Sequence, residues 1–183
     1  MNYYKIYMIT EHRYDIPQLF SADDIKNRIK EISSEIKTNN KDNEIIVICL
    51  LKGGFTFTAD LIRELTPLDV RVDFMSVSSY GDELKSSGVI NIKQDISTDI
   101  SGKNIIIIDD IVDTGRTLFE IRNYLSKKNP NSIRTCCLLD KKEKREFDID
   151  IDYYGFVCPD VFVVGYGMDA SGMYRNLPYI GKI

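Results

Sequence analysis

The sequence predicts an α/β fold with a mostly parallel central sheet flanked by helices. Residues 44–51 and 105–108 contain nearly continuous apolar runs, which are typical of strands covered on both faces. Each run leads into a turn that contains glycine and then into a helical pattern. This repeated order favours parallel pairing, and ligand-binding residues are then expected where the strands end.

The remaining elements of the first half follow from capping and periodicity. Ser21 precedes an apolar stripe at helical spacing, formed by Ile25, Ile29, Ile32 and Ile36, which predicts a capped amphipathic helix. A helical stretch covers residues 55–65 and a third strand residues 70–77. Residues 78–88 carry few packing groups and predict a long mobile loop, after which residues 89–92 return as a short strand.

The second half continues the alternation of strands and helices. A helix beginning near Thr117 has Leu118, Ile121 and Leu125 on one face and ends before Pro130. Residues 133–139, 156–159 and 161–165 are predicted strands, and residues 174–180 a closing segment. The charged residues 140–148 indicate a solvated loop, in which a functional lysine is not expected from composition.

Length and composition limit the class of protein. The 183 residues suit one domain, 1–183, and the net charge of −4 argues against a general nucleic-acid binder. The four cysteines form no C-x-x-C pair, so we expect reduced, mostly buried thiols. The chain has neither a signal-peptide core nor an apolar run near the ~20 residues that span a bilayer, so we expect a cytoplasmic protein without a membrane partner.

The segment after residues 105–108 carries the strongest chemical signal. Thr114, Gly115 and Thr117 can direct hydroxyl and backbone N–H groups at a phosphate, beside the N-terminus of the following helix. Asp109 and Asp110 come just before this loop, at the carboxyl end of the predicted strand. From the residues alone, Asp113 is equally a helix cap or a catalytic acid.

Five sequence blocks follow one another along the chain: LLKGG at 50–54, VSSYG at 77–81, DDIVDTGRT at 109–117, LLDK at 138–141 and FVVGY at 162–166. In this order they resemble the type I phosphoribosyltransferases, and among them the hypoxanthine(-guanine) phosphoribosyltransferases. The resemblance implies the type I phosphoribosyltransferase fold, with a small hood subdomain built from roughly residues 1–20 and 155–183. It also implies purine salvage, in which a 6-oxopurine attacks the anomeric carbon of 5-phosphoribosyl 1-pyrophosphate and releases pyrophosphate.

The resemblance assigns the sugar phosphate and the ribose to the third block. Its loop matches the 5'-phosphate cradle, formed by Asp113, Thr114, Gly115, Arg116 and Thr117. Asp113 is also the family's acid/base group near purine N7. Asp109 and Asp110 match the acidic pair at the ribose hydroxyls, where Mg²⁺ binds, although many relatives have glutamate at the first position.

The other blocks supply the leaving group, the base and the mobile loop. Leu51, Lys52 and Gly53 match the pyrophosphate loop, with a non-proline cis peptide before the lysine in many relatives, and Arg175 matches a further pyrophosphate contact. Asp169 matches a second magnesium ligand. Lys141 matches the lysine at the purine exocyclic oxygen, Phe162 the aromatic that stacks on the base and Val163 its neighbour at the purine edge. Ser79 and Tyr80 match the loop that closes over the reaction.

Three points stay open on the sequence. Without the resemblance, Phe162 is expected in the core. A nucleotide- or RNA-binding regulator with the same fold is the alternative from another class, although the acidic pI near 5.1 disfavours it. The relative use of hypoxanthine, guanine and xanthine is also open, while the family implies a homodimer or homotetramer.

Overall fold

The computed structural model describes residues 16–40, 44–78 and 91–183. Its helices are α1 (Ala22–Asn39), α2 (Phe55–Glu64) and α3 (Arg116–Ser126). Its strands are β1 (Gln18–Phe20), β2 (Ile45–Leu51), β3 (Val70–Ser78), β4 (Asn91–Gln94), β5 (Asn104–Val112), β6 (Ser132–Asp140), β7 (Tyr153–Val157), β8 (Val163–Val164) and β9 (Ile180–Lys182).

The central sheet has the strand order β4-β3-β2-β5-β6-β7, and of these six described strands only β4 pairs in antiparallel fashion. The prediction of a mostly parallel sheet is therefore confirmed. The carboxyl ends of the parallel strands meet at one edge, where Asp140 of β6 lies between Val112 of β5 and Val157 of β7. The loops that follow these strands consequently approach one another.

Helices cover both faces of this sheet. Ile106 and Ile108 of β5 pack in one apolar cluster with α1 and α2, whereas Ile105 and Ile107 pack in a second cluster with α3. All four isoleucines are buried. Burial on both sides explains why the sequence of this strand shows no polar alternation.

The first helix begins as its sequence predicts and also closes one edge of the sheet. Ser21 and Asp24 form a capping box, in which the backbone N–H of Asp24 donates to Ser21 Oγ at 3.2 Å and that of Ser21 to the Asp24 carboxylate at 3.0 Å. Farther along α1, Arg28 donates to the backbone carbonyls of Tyr154 at 2.8 Å and Gly155 at 2.9 Å, both in β7. The helix is thereby attached to the last strand of the sheet.

A second, smaller sheet combines both ends of the described chain, in the antiparallel order β1-β9-β8. The Tyr166 hydroxyl, which follows β8, donates to the Asp60 carboxylate on α2. A cavity of about 590 Å³ lies between α1, α2 and the segment around residues 175–178. The small sheet is therefore connected to the helices that cover the central sheet.

Several boundaries differ from those that the sequence predicts. The strand expected at 156–159 is β7 at Tyr153–Val157, and the one expected at 89–92 is β4 at Asn91–Gln94. Residues 142–144, expected in a solvated loop, form one 3-10 turn. β5 continues through both acids to Val112, because its ladder with β6 is maintained as far as Asp140.

The cysteines are free and buried, as predicted, and burial raises the pKa of the Cys49 thiol to about 11. Within the three described ranges, no helix is both long enough and apolar enough to cross a membrane.

Candidate active site

The loop after β5 forms a small recess at the start of α3. Gly115 is the N-cap residue of α3 and has a φ of +85°, a conformation that glycine adopts without a Cβ penalty. The recess has a volume of about 90 Å³ and is lined by residues 109 and 111–118. The first backbone N–H groups of a helix have no intrahelical acceptor and carry partial positive charge, so the recess is suited to an anion.

Asp113 lies in this recess but does not cap the helix. Gly115 occupies the N-cap position, and no side chain makes a capping hydrogen bond there. The interpretation of Asp113 as a helix-cap aspartate is therefore wrong. Its carboxylate instead faces two lysine side chains, with Oδ1 at 3.9 Å from Lys141 Nζ and 3.8 Å from Lys144 Nζ.

These three residues and Asp160 form a charge cluster at the carboxyl edge of the sheet. Lys141 is 7% exposed, although it belongs to the segment predicted as a solvated loop. Its ammonium lies 3.8 Å from Asp160 Oδ1, which in turn is 2.8 Å from Lys144 Nζ. The hydrogen bond from Lys144 holds the pKa of Asp160 below its usual value, and the same contact, followed by the Asp113 charge, raises the pKa of Lys144.

The segment that carries Lys141 is also attached to the loop after β5. Asp140 is 2% exposed, and its carboxylate is paired with the guanidinium of Arg145. The backbone N–H groups of Glu146 and Phe147 both donate to the Thr114 carbonyl, at 2.9 and 3.1 Å. The two backbone hydrogen bonds thus hold the segment after β6 against the loop after β5, and the ion pair joins the two ends of the turn within that segment.

Asp109 and Asp110 lie against the loop that follows β2. A Cβ atom on Gly53 would overlap the Asp110 carboxylate, and one on Gly54 would lie 2.8 Å from the Leu50 carbonyl oxygen. Only glycine therefore allows this close approach. Burial, and then the neighbouring charge of Asp110, raise the pKa of Asp109 well above its usual value.

The Leu51–Lys52 peptide bond is cis. At Gly53, this loop also contacts a glycine-rich segment that comprises residues 165–172. Gly167 has a φ of +101°, and a Cβ there would lie 2.2 Å from the Gly53 carbonyl oxygen. Beyond it, Asp169 and Arg175 form an ion pair at 2.6 Å, and Arg175 donates to the Gly167 carbonyl. The residues that the resemblance assigns to pyrophosphate are therefore brought close to one another.

Phe162 and Val163 differ in exposure. Phe162 is 56% exposed, so the expectation of a core position is wrong, whereas Val163 is buried. The backbone N–H of Ile183 donates to the Phe162 carbonyl at 3.0 Å, which holds the backbone but leaves the ring accessible. Ser79 and Tyr80 lie outside the described residues.

The described residues contain no group of three or more His, Cys, Asp or Glu side chains able to hold a metal ion. Asp109 and Asp110 nevertheless provide two adjacent carboxylates. Burial and the charge of Asp110 disfavour the ionised form of Asp109 and so raise its pKa. Mg²⁺ is commonly bound by one or two carboxylates together with water and substrate phosphate oxygens. The residues present therefore fit Mg²⁺ held jointly by protein and substrate.

Sequence reasoning missed Lys144, Arg145 and Asp160. The first two lie in a run of charged residues. Such a composition is found in solvated loops and also in ordered segments that line a site, so it does not distinguish them. The position of Lys141 directly after a buried strand was the one available signal that this run begins inside the protein.

The fold and these loops form a recess suited to an anion at the edge of a parallel sheet, and comparison with known proteins identifies the family. Residues 17–171 match the family model described as phosphoribosyl transferase domain. The chain therefore belongs to the phosphoribosyltransferase family, as its sequence blocks indicate.

Individual relatives show which members of the family the chain is similar to. The chain is 48% identical over 163 residues to the hypoxanthine-guanine phosphoribosyltransferase of Aquifex aeolicus, covering 88% of this chain and 91% of the relative. It is 44% identical over 173 residues to the hypoxanthine phosphoribosyltransferase of Buchnera aphidicola, covering 93% and 97%. A crystal structure of a Bacillus anthracis hypoxanthine-guanine phosphoribosyltransferase, with HEPES in its active site, superposes with a TM-score of 0.88 at 40% identity, covering 92% of this chain and 99% of that chain.

Proposed function

We propose that this chain transfers the 5-phosphoribosyl group from 5-phosphoribosyl 1-pyrophosphate to hypoxanthine, and also to guanine. The products are IMP or GMP and pyrophosphate. The observation that carries the proposal is the buried Lys141 ammonium, 3.9 Å from Asp113 at the phosphate recess. A cation there favours a purine with an exocyclic oxygen at position 6 over adenine, which presents an amino group.

The sugar is held through its 5'-phosphate and its hydroxyls. The N-terminus of α3 and the side chains of Thr114, Arg116 and Thr117 bind the phosphate in the recess. Asp109 and Asp110, which precede the recess on β5, accept hydrogen bonds from the ribose 2'- and 3'-hydroxyls.

The leaving group is bound on the opposite side of the two acids. Leu51, Lys52 and Gly53 contact the pyrophosphate, with Arg175 contributing a second positive charge from the glycine-rich segment. Asp109 and Asp110, with Asp169 on the pyrophosphate side, would hold Mg²⁺, which would supply charge neutralisation for the departing pyrophosphate. Asp169 is paired with Arg175 at 2.6 Å.

The base lies between the charge cluster and Phe162. Lys141 donates to the exocyclic oxygen, the exposed ring of Phe162 stacks on the purine, and Val163 reads the purine edge through its backbone. Asp113, whose Oδ1 accepts no hydrogen bond from the described residues, takes up the proton at N7 as the new bond forms. An acceptor without a hydrogen bond is what that step requires.

The cellular context is part of the same proposal. We propose a single domain, 1–183, whose hood comprises about residues 1–20 and 155–183, acting in the cytoplasm as a homodimer or homotetramer on small-molecule substrates. Neither a nucleic acid nor a membrane takes part in this function.

Steady-state turnover tests the proposal directly. The enzyme is incubated with 5-phosphoribosyl 1-pyrophosphate, Mg²⁺ and one of hypoxanthine, guanine, xanthine or adenine, and nucleotide formation is measured. We expect IMP and GMP with little AMP. Absence of nucleotide with every 6-oxopurine would overturn the proposal.

A second measurement tests the role of Asp113. Replacing it in the variant Asp113→Asn keeps the shape of the recess but removes the proton acceptor, so kcat falls about 100-fold or more. The KM for 5-phosphoribosyl 1-pyrophosphate stays within a few-fold, because the backbone N–H groups of the recess are unchanged. A kcat equal to that of the wild type would exclude Asp113 as the base.

A further inference from the structure

The charge cluster contains two residues to which the proposed reaction assigns no role, Lys144 and Asp160. They lie on different segments, the 3-10 turn after β6 and the loop after β7, and approach each other to 2.8 Å. Their contact borders the ammonium of Lys141, which is the proposed purine contact. A role for this pair therefore bears on binding of the base.

Lys141 lies between two carboxylates without hydrogen bonding to either. The distances from its Nζ to Asp113 Oδ1 and Asp160 Oδ1 are 3.9 and 3.8 Å, which are too long for N–H···O hydrogen bonds. The ammonium is thus held by charge, and its donors are not committed to Asp113 or Asp160. A lysine that hydrogen-bonds a carboxylate at close range would first have to leave it to donate to a neutral purine oxygen.

Lys144 keeps Asp160 from making that closer contact. The same oxygen, Asp160 Oδ1, accepts the short hydrogen bond from Lys144 and points at Lys141 from 1 Å farther away. Without the Lys144 ammonium, Lys141 is the one cation of the described ranges that pairs with the Asp160 carboxylate, and Coulomb attraction draws the two together. With both lysines present, the four formal charges of the cluster sum to zero, which suits a neutral base.

We propose that Lys144 and Asp160 are a positioning pair for the purine: Lys144 occupies Asp160 and thereby leaves the Lys141 ammonium available to the 6-oxo group of the base. The inference rests on the proposed function, since it requires Lys141 to contact the purine. It adds that the affinity for the base depends on competition between two lysines for one carboxylate.

The decisive variants are Lys144→Ala and the double variant Lys144→Ala/Asp160→Asn. In Lys144→Ala, Asp160 captures Lys141, and we expect the KM for hypoxanthine to rise about fivefold, because a half-exposed carboxylate competes only moderately. The KM for 5-phosphoribosyl 1-pyrophosphate stays within twofold. In the double variant the competing charge is gone, and the KM for hypoxanthine returns to within twofold of that of Asp160→Asn alone. Lys144→Arg preserves the pair and remains close to the wild type.

Lys142→Ala is the matched control. Lys142 belongs to the same 3-10 turn and carries the same charge, but its ammonium lies over the ring of Tyr154, 4.5 Å from the centroid. We expect its KM for hypoxanthine to match that of the wild type. Thermal unfolding of each variant shows whether the protein remains folded.

The outcomes separate the inference from the proposed function. A KM that stays high in the double variant, an equal rise for both substrates, or an equal rise in Lys142→Ala would overturn the role of the pair while the enzyme remained active. Wild-type protein that makes no nucleotide would overturn the proposed function and the inference with it. Recovery in the double variant is the result that a merely structural role of Lys144 does not predict.

Discussion

The contact between Gly167 and the Gly53 carbonyl offers a sharp test of how the proposed pyrophosphate loop is held. A methyl group at residue 167 would lie 2.2 Å from the Gly53 oxygen, where real Cβ contacts are rarely closer than about 3.4 Å. The substitution Gly167→Ala therefore separates the two backbones by about 1 Å. The φ of +101° adds conformational strain for any residue with a Cβ.

The magnitude follows from these two effects. Strain alone costs about 1–3 kcal/mol of folding free energy and does not act on the substrate. A displacement of about 1 Å at a group that positions the reactant costs up to about 100-fold in rate. We therefore expect Gly167→Ala to lower kcat/KM for 5-phosphoribosyl 1-pyrophosphate about 100-fold, while the protein remains folded at 25 °C.

Gly172→Ala distinguishes strain from displacement. Gly172 has a φ of +82° in the same segment, but a Cβ there meets no atom of the described residues within 4 Å. We expect a similar loss of stability in urea denaturation and a kcat/KM within threefold of the wild type. If the two alanine variants had equal kcat/KM, the contact with Gly53 would have no part in holding the pyrophosphate loop.

Two further predictions concern stability. Arg145→Ala leaves the buried Asp140 carboxylate without its partner, so the free energy of unfolding in urea should fall by about 3 kcal/mol. The double variant Arg145→Ala/Asp140→Asn should recover part of this lost stability. If it recovered none, the pairing of the two residues would be contradicted. Burial alone would raise the pKa of Asp73, but it is outweighed by hydrogen bonds from the backbone N–H groups of Phe74, Ser97 and Thr98, which lower it. A group whose pKa is lowered on folding stabilises the fold at pH values above its pKa in the unfolded state, which is about 4 for aspartate. This stabilisation is lost as the pH falls through the pKa of the folded state. Asp73→Asn should therefore cost about 1–2 kcal/mol at pH 7 and progressively less as the pH falls below about 4, and a cost that does not change with pH would contradict this explanation.

The parts of the fold that the sequence predicts well are those with local physical causes. Ser21 and Asp24 form their capping box between residues three apart, and Ile25 to Ile36 face the sheet because their spacing matches the helical period. The apolar run before Asp109 predicts a buried strand because a strand that is covered on both faces shows no polar alternation. Strand ends are less predictable, since β5 extends as far as Val112 only because its ladder with β6 is maintained that far.

The residues of the candidate site also differ in how well the sequence predicts their positions. Thr114, Gly115 and Thr117 show their chemistry in a single short loop, so the phosphate recess can be anticipated from residue types alone. Phe162 and Lys141 were misjudged by composition, because the exposure of a phenylalanine or the burial of a lysine depends on neighbours distant in sequence. Lys144 and Asp160, sixteen residues apart, meet only after β6 and β7 have paired.

The hydrogen bonds from Arg28 to β7 have a consequence for how the molecule behaves in a crowded solution. An outer strand of a sheet presents unpaired carbonyl and N–H groups, and a second polypeptide can add to them. Two successive carbonyls of β7, those of Tyr154 and Gly155, are already occupied by one guanidinium from α1. A single side chain on a surface helix thus occupies two hydrogen-bond acceptors of this outer strand, a task unrelated to catalysis.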